Sequence, residues 1–437
     1  MVAGFIPGGT YWNEGERGCL PRLRGLRDRA MARLPASPDT APKPDPRSTG
    51  FLLIFALAYV GGVVAYLPLL TLLLPIKVQA VAGLRRLDVL TAIAVAGAVA
   101  ASLSNVLFGY LSDWSRTRGG GRRGWLAGGV VATAVAYGAI AVAATPTALI
   151  LSVIGFQVAV NAVLAPMLAM MADEVPDMQK GVAGGLLAMA NPVAATVAAI
   201  LVGAASLGDA ARLAIVLAVV AGCTIPVLLT PARPIADPGP KPENGAVSRH
   251  DLMLAWVARL FVQIAGSALF LYLLYYLQSV EPAMPPATIA ARMGTVMIVA
   301  YTLPLPIAVL VGRLADRSGR IKPFLFAAAL VAATGLVGMA FADGFTSGAA
   351  AFCVYATGES VFLALHAGFA MQLLPDPRYR GRDLGLLNLT NTLPGLLGPT
   401  LTWALATPSD YDALMLVLAA LTLCGGLTVL AAHRRRY

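Results

Sequence analysis

Two ionisable residues stand inside apolar runs where a charge is costly. Arg259 lies in LMLAWVARLFVQIAG and Glu359 in FCVYATGESVFLALHAGF. Among 32 basic and 22 acidic residues, they alone fall well inside segments apolar enough to cross a bilayer. An ionised group at mid-bilayer costs at least ~2.5–3.5 kcal/mol, so each needs a partner or a water-filled cavity. Two chemistries fit. In one, Glu359 exchanges a proton while Arg259 holds a polar solute. In the other, the two form a buried ion pair, which adds little stability but leaves a costly lone charge when one member is lost. Gln263, one turn beyond Arg259, adds an amide to that face. His366 follows Glu359 at a spacing that puts it within ~20° of the same helical face, although a lone His can equally bond a neighbouring helix. Gln157 and Asn161, one turn apart in another apolar run, complete the candidate substrate and proton site.

The elements that must position these groups are membrane helices. The chain has 437 residues, 58% apolar and 12% charged, against ~25% charged in soluble domains. Long apolar stretches follow one another from residue 51 onward, and a soluble core could not hide them all. At ~20 residues per crossing, spans are expected at 51–75, 87–111, 125–145, 147–171, 182–206 and 211–230. A second set falls at 251–279, 288–311, 323–342, 346–372, 384–406 and 412–432. The reading is an all-α membrane protein with twelve helices. A tail (1–50) precedes a first six-helix bundle (51–230). A polar linker (231–249), a second bundle (250–432) and a basic end (433–437) follow. At 1.5 Å per residue, Arg259 lies ~12 Å, His366 ~9 Å and Glu359 ~20 Å from the cytoplasmic edge.

Charge placement tests this map. With the N-terminus inside, 26 of the 32 basic residues fall in the tails and cytoplasmic loops, and only Lys77, Arg85, Arg86, Arg212 and Arg292 fall outside. Basic residues resist translocation, so both termini are expected in the cytoplasm, in a bacterial inner membrane. The net charge of +10 then matches an anionic leaflet and membrane lipids as partners, and no nucleic acid is needed. Four cysteines without metal-ligand spacing and three histidines point to no metal site, no cofactor and no enzyme, since no nucleophile–base pairing or phosphate loop is present. Tyr272, Tyr275 and Tyr276 close the seventh span, where an interfacial belt and solute stacking both account for them.

The chain also repeats itself. Residues 181–191 read GVAGGLLAMAN and residues 381–391 read GRDLGLLNLTN. Residues 109–125, GYLSDWSRTRGGGRRGW, match 312–323, GRLADRSGRIKP, at nearly the same offset. Two signatures at one spacing mean a six-helix unit present twice. Gly109 and Gly312 would admit a close helix, and Asp113 and Asp316 could cap the positive N-terminus of one. Asn191 and Asn391 read as interhelix hydrogen-bonding groups, with a substrate path as the alternative; Pro192 and Pro394 would loosen their helices.

The doubled G-x-L-x-D-basic signature, the twelve spans and the central linker resemble the major facilitator superfamily. Within it, GYLSDWSRTRGGGRRGW and MMADEVPDMQKG look like the glycoside–pentoside–hexuronide and sucrose-transporter branch. Residues 89–111 and 147–171 lack the acids of that branch, so its sugar and sodium do not follow. The resemblance implies a central cavity lined by the first, fourth, seventh and tenth helices. It also implies a cytoplasmic gate built from Gly109, Asp113, Arg122, Arg123, Gly312, Asp316, Arg317 and Arg320, with Asp113 facing the eleventh helix and Asp316 the fifth. The implied function is a monomeric secondary transporter of a small polar solute (sugar, glycoside or organic anion), coupled to a proton or another cation. A lysolipid carrier and a non-transporting sensor are the alternatives. Drug/proton antiport is not expected, because ANPVAATVAAILVG departs from that group's G-P-x-x-G motif.

Overall fold

A proline four residues beyond a carbonyl cannot bond it, and its ring crowds it, so the helix yields there. This rule shapes two of the twelve membrane helices. The computed structural model describes residues 46–118, 120–204, 207–233, 249–372 and 380–431. Most of the expected tail, most of the linker and the basic end lie outside the described residues.

In the first set, α1 runs through Thr49–Pro68, a π turn at Leu69–Leu73 and Leu74–Ala82. It is followed by α2 (Arg86–Thr117), α3 (Arg123–Val142), α4 (Pro146–Glu174), α5 (Asp177–Ala188 and Ala190–Gly203) and α6 (Asp209–Leu228). The second set has α7 (Arg249–Val280), α8 (Pro286–Thr302 and Pro304–Ser318), α9 (Ile321–Ala340), α10 (Phe345–Gln372), α11 (Arg380–Leu405) and α12 (Asp412–Ala431). Ten continuous stretches among the described residues are long and apolar enough to cross a membrane. The first, Thr49–Arg116, breaks at Gly83 (φ 55) and is two spans; α11, interrupted by polar residues and two prolines, is the remaining helix and is not among those stretches.

Local chemistry sets the boundaries. Thr145 accepts from the Ala148 amide at 3.2 Å, capping α4 and separating it from α3. Such a cap satisfies one of the free amides at a helix start. Both G-x-L-x-D signatures lie within the last turns of α2 and α8, which extend further than the sequence spacing suggests. Pro192 faces the Ala188 carbonyl, and α5 breaks at Met189; Pro306 faces Thr302, and α8 breaks at Leu303. The expected loosening at Pro192 therefore occurs, whereas α11 runs through Pro394 unbroken.

Lipid tails are as apolar as leucine, so these helices associate by close packing rather than by expulsion of water. The backbone of α10 lies directly on α9 at Gly335 and Gly358, where any side chain would overlap Tyr355 and Ala332. That contact fixes the helix that carries Glu359.

Among the described residues, the hydrogen bonds that join the two sets gather at one end. Call the end with Arg47, Arg122 and Arg320 the basic end. At the opposite end, Tyr275 donates to the Pro75 carbonyl at 2.8 Å and Thr91 bonds Tyr272 at 2.5 Å. Arg86 reaches Gln278 at 3.0 Å and lies 4.7 Å over the Tyr275 ring. Gln278 donates to Gln79 at 3.2 Å, and Trp403 donates to Asp88 at 3.0 Å. Among the described residues, the hydrogen bonds between the sets all lie at this end. The outer segment of α5 packs on that of α8, where a methyl group on Gly294 would stand 2.6 Å from the Ala199 Cα. Beyond the proline breaks, the inner segments pack on their own sets.

Candidate functional site

Between the sets lies a cavity of about 470 Å³. Helix α7 contributes Gln263, Gly266, Ser267 and Phe270; α10 contributes Phe352, Tyr355, Glu359 and Ser360. Tyr66 from α1, Asn191 from α5, Tyr301 from α8 and Pro394 from α11 complete the wall. Its volume falls in the range of small-molecule sites, and its lining mixes aromatic faces with a few polar groups.

Glu359 is the one ionisable carboxylate of the lining. It rests against Gly266, where any side chain would overlap Oε1. Beside it, one turn back on α10, the buried Tyr355 hydroxyl lies against the carboxyl. Tyr66 packs on Phe270 with ring centroids 6.4 Å apart, and Phe352 packs on Tyr355 at 6.1 Å. The first of these pairs bridges the two sets.

The remaining candidates separate into distinct environments. Arg259 donates from Nε to Gln263 Oε1 at 3.0 Å, and no ion pair joins it to Glu359 among the described residues. Arg259 is thus bonded to Gln263, which lines the cavity, and is not itself among the described lining residues. His366 is a correction: it is fully buried, with Nε2 at 2.8 Å from the Ala255 carbonyl and its ring stacked on Phe362 at 5.5 Å. It shares Glu359's face in angle but sits against α7 backbone and phenyl rings rather than the cavity. Gln157 and Asn161 are a second correction. Asn161 accepts from Asn105 at 3.1 Å and donates to the Gln157 carbonyl at 2.8 Å. That cluster ties α4 to α2 and contributes nothing to the cavity wall, so α4 does not line it. Asn191, read as a packing group, instead lines the cavity and makes no side-chain hydrogen bond among the described residues. The Asn391 side chain lies outside the described residues.

The gate motif is closed within the first set and open across the sets. Arg122 is buried and donates to Asp173 at 2.8 Å, Ser112 at 2.7 Å and Asp113 at 2.6 Å. Arg123 holds Glu174 at 2.8 Å and the Thr230 hydroxyl at 3.1 Å, joining α3, α4 and the end of α6. Arg47 also binds Glu174. Asp113 therefore pairs with Arg122 of its own set. Asp316, Arg317 and Arg320 are exposed and form no ion pair among the described residues, and nothing stands near the Cα of Gly109 or Gly312. Among the described residues, no close helix stands beside these glycines. Burial opposes ionisation of Asp173, but hydrogen bonds from Arg116 and Arg122 outweigh it and hold the carboxyl below its usual range.

Tyr272, Tyr275 and Tyr276 are fully buried and serve neither as an interfacial belt nor as cavity lining. The first two join the sets and the third bonds the Met339 carbonyl at 2.7 Å. Sequence reasoning also missed Tyr66, Tyr301 and Tyr355. Tyr355 carried a signal, since it precedes Glu359 by one turn. Asp173 and Glu174 were visible as an acidic pair ahead of Pro176, facing a basic loop.

Helices in two sets of six around a cavity define a polytopic membrane protein of the transporter fold. Residues 252–436 match the Major Facilitator Superfamily family model. No curated protein sequence matches the chain. Among solved structures, a bacterial homolog of the human lysosomal transporter Spinster, inward-facing and occupied, aligns with TM-score 0.64 at 15% identity, covering 87% of this chain and 94% of that one. The nucleoside transporter NupG aligns with TM-score 0.65 at 12% identity, and the human organic anion transporter MFSD10 (TETRAN) with 0.65 at 15%. Each of these two covers 88% of this chain and all of its own.

Proposed function

We propose that this protein is a secondary active transporter of a small polar solute, working by alternating access with Glu359 as its proton-coupling group. The observation that carries the reading is a cavity holding, among the described residues, one carboxylate between two sets of helices whose joining hydrogen bonds lie at one end. The superfamily match and the transporter fold of the aligned structures support it. With the basic end in the cytoplasm, as the distribution of Lys and Arg favours, the structure corresponds to the inward-open state. The G-x-L-x-D motifs then form a latch that closes in the opposite state, filling the space beside Gly109 and Gly312. The breaks at Met189 and Leu303 are where α5 and α8 part, which assigns them as flexing points. The finer resemblance to the glycoside–pentoside–hexuronide branch keeps a sugar or glycoside among candidate solutes. An organic anion loses support, because Arg259 is spent on Gln263 outside the wall.

A thermal-stabilisation screen across sugars, organic acids, nucleosides and amines would supply a working solute for proteoliposome assays. With it, Glu359→Gln is expected to keep solute exchange and lose uphill accumulation driven by a pH gradient. Full accumulation by the Gln variant would remove Glu359 as the coupling group.

A further inference from the structure

Among the described residues the cavity wall carries one carboxylate and no basic side chain, and it is otherwise rich in aromatic faces. Tyr66, Phe270, Tyr301, Phe352 and Tyr355 come from four helices and both sets. Ring faces attract cations, more strongly where water is excluded. A solute anion would meet the opposite: Glu359 repels it, and the nearest guanidinium, on Arg259, lies two turns from Gly266 and donates to Gln263. A neutral sugar would need several convergent donors and acceptors, and the wall offers them sparsely, in Asn191, Gln263, Ser267 and Ser360.

We infer that the solute is a monovalent organic cation with an apolar or aromatic body, held by the Glu359 carboxylate and the tyrosine and phenylalanine faces. This rests on the transporter reading, replaces its small polar solute with an amphiphilic cation, and reverses the expectation against drug/proton antiport drawn from the fifth-helix motif. The groups facing Glu359 are Tyr355 on its own helix, Tyr301 on α8, Tyr66 on α1 and Gly266 on α7, and none of them supplies a positive charge. The carboxylate therefore has two alternative partners, a proton or the solute cation. Arrival of the cation breaks the Glu359 O–H bond, the proton leaves to water at the basic end, and the carboxylate pairs with the cation. One group serving both partners in turn yields exchange of proton for cation, where symport would need a second site. Gly266 gives the carboxylate its resting place, and the Tyr355 hydroxyl stands beside it.

The test uses the purified full chain and three probes of similar shape: tetraphenylphosphonium, tetraphenylborate and neutral triphenylphosphine oxide. Calorimetric titration in weakly buffered solution near neutral pH reads both affinity and proton release. Tetraphenylphosphonium should bind at least about tenfold more tightly than tetraphenylborate and release protons on binding. Glu359→Gln should lose about tenfold in phosphonium affinity and all of the proton release. Glu359→Asp keeps the charge and should keep the preference for cation over anion, which guards against a Gln variant that misfolds. Equal or tighter binding of the borate overturns the inference, as does wild-type phosphonium affinity in the Gln variant. Preferential binding of the neutral phosphine oxide, weakened by Tyr301→Ala, also overturns it while leaving the transporter reading intact. The transporter reading fails separately, on whether the cavity can be reached from both membrane faces.

Discussion

The two ends of this molecule hold themselves together by different chemistry. At the basic end the ion pairs are dense: Arg47, Arg116, Arg122 and Arg123 engage Asp113, Asp173 and Glu174. Yet every one of these pairs lies within the first set, and they stiffen α2, α3, α4 and the end of α6 as a unit. At the opposite end charge is sparse, and the bonds that join the sets are mostly tyrosine, glutamine, threonine and tryptophan contacts. The lesson is that ion pairs mark rigidity here, while closure depends on neutral hydrogen bonds together with single charged groups, Arg86 and Asp88, bonded to neutral partners. That division suits a machine whose halves must separate. Neutral hydrogen bonds are worth ~0.5–1.5 kcal/mol each and can be exchanged singly, whereas a buried ion pair broken on one side costs ~3–5 kcal/mol.

The comparison also explains the exceptions to the positive-inside pattern. Lys77 donates to the Ala141 carbonyl at 2.9 Å and pairs with Asp209 at 3.6 Å. Arg86 bridges to Gln278 and the Pro408 carbonyl. Arg292 lies 5.7 Å from the Phe345 ring centre. These cations fasten the opposite end, and topology does not account for them.

Four perturbations would break or sharpen the contrast. Gly294→Leu should have the largest effect on closure, because even a methyl group would stand 2.6 Å from Ala199. Overpacking costs ~1–3 kcal/mol, so thiol labelling of a cavity cysteine from the opposite end should rise about tenfold or more. Arg122→Gln should lower the melting temperature by removing three side-chain bonds, a cost of ~1–3 kcal/mol, with labelling from the opposite end unchanged. Increased labelling there would show that the basic network controls closure after all. Tyr275→Phe removes one bond between the sets and should shift closure by ~0.5–1.5 kcal/mol, read as a severalfold rise in the same labelling with little change in melting. The smallest effect is acid sensitivity at Asp173. Its lowered pKa contributes stability above the ordinary carboxylate pKa of ~3.9, and that contribution is lost as pH falls through the folded-state value. Melting of Asp173→Asn should show a shallower acid decline than wild type, and identical declines would remove this carboxyl from the account.

Much of the fold was legible in the sequence, because apolar length and the repeated signatures are local properties. The α5 and α8 breaks were half legible: Pro192 was marked, and Pro306 stood unread beside Pro304. Glu359 could be found because an acid in an apolar run has so few explanations, and Gln263 followed from helical spacing. His366 was misplaced because angular agreement says which face a residue shares, not what that face opposes. Along α10 the facing element changes from cavity to α7 backbone within two turns. The cavity tyrosines were missed for a related reason: a tyrosine in an apolar run reads as filler until its neighbours are known. Gln157 and Asn161 looked like a counterpart of Glu359 by repeat arithmetic. The Asn161 amide bonds Asn105 of α2 and the Gln157 backbone carbonyl, so this pair ties helices of its own set together.

The central claim is that the closed end opens and gives the cavity access to both sides. Ser267→Cys, placed in a background without native cysteines, can be labelled in sealed proteoliposomes by a membrane-impermeant thiol reagent added to either face. The account predicts reaction from both faces. In a second version carrying Gln79→Cys and Gln278→Cys, whose native side chains meet at 3.2 Å, oxidation should confine labelling to the basic face and reduction should restore both. Labelling from one face alone in the unlocked protein, or from both faces in the oxidised lock, would contradict alternating access.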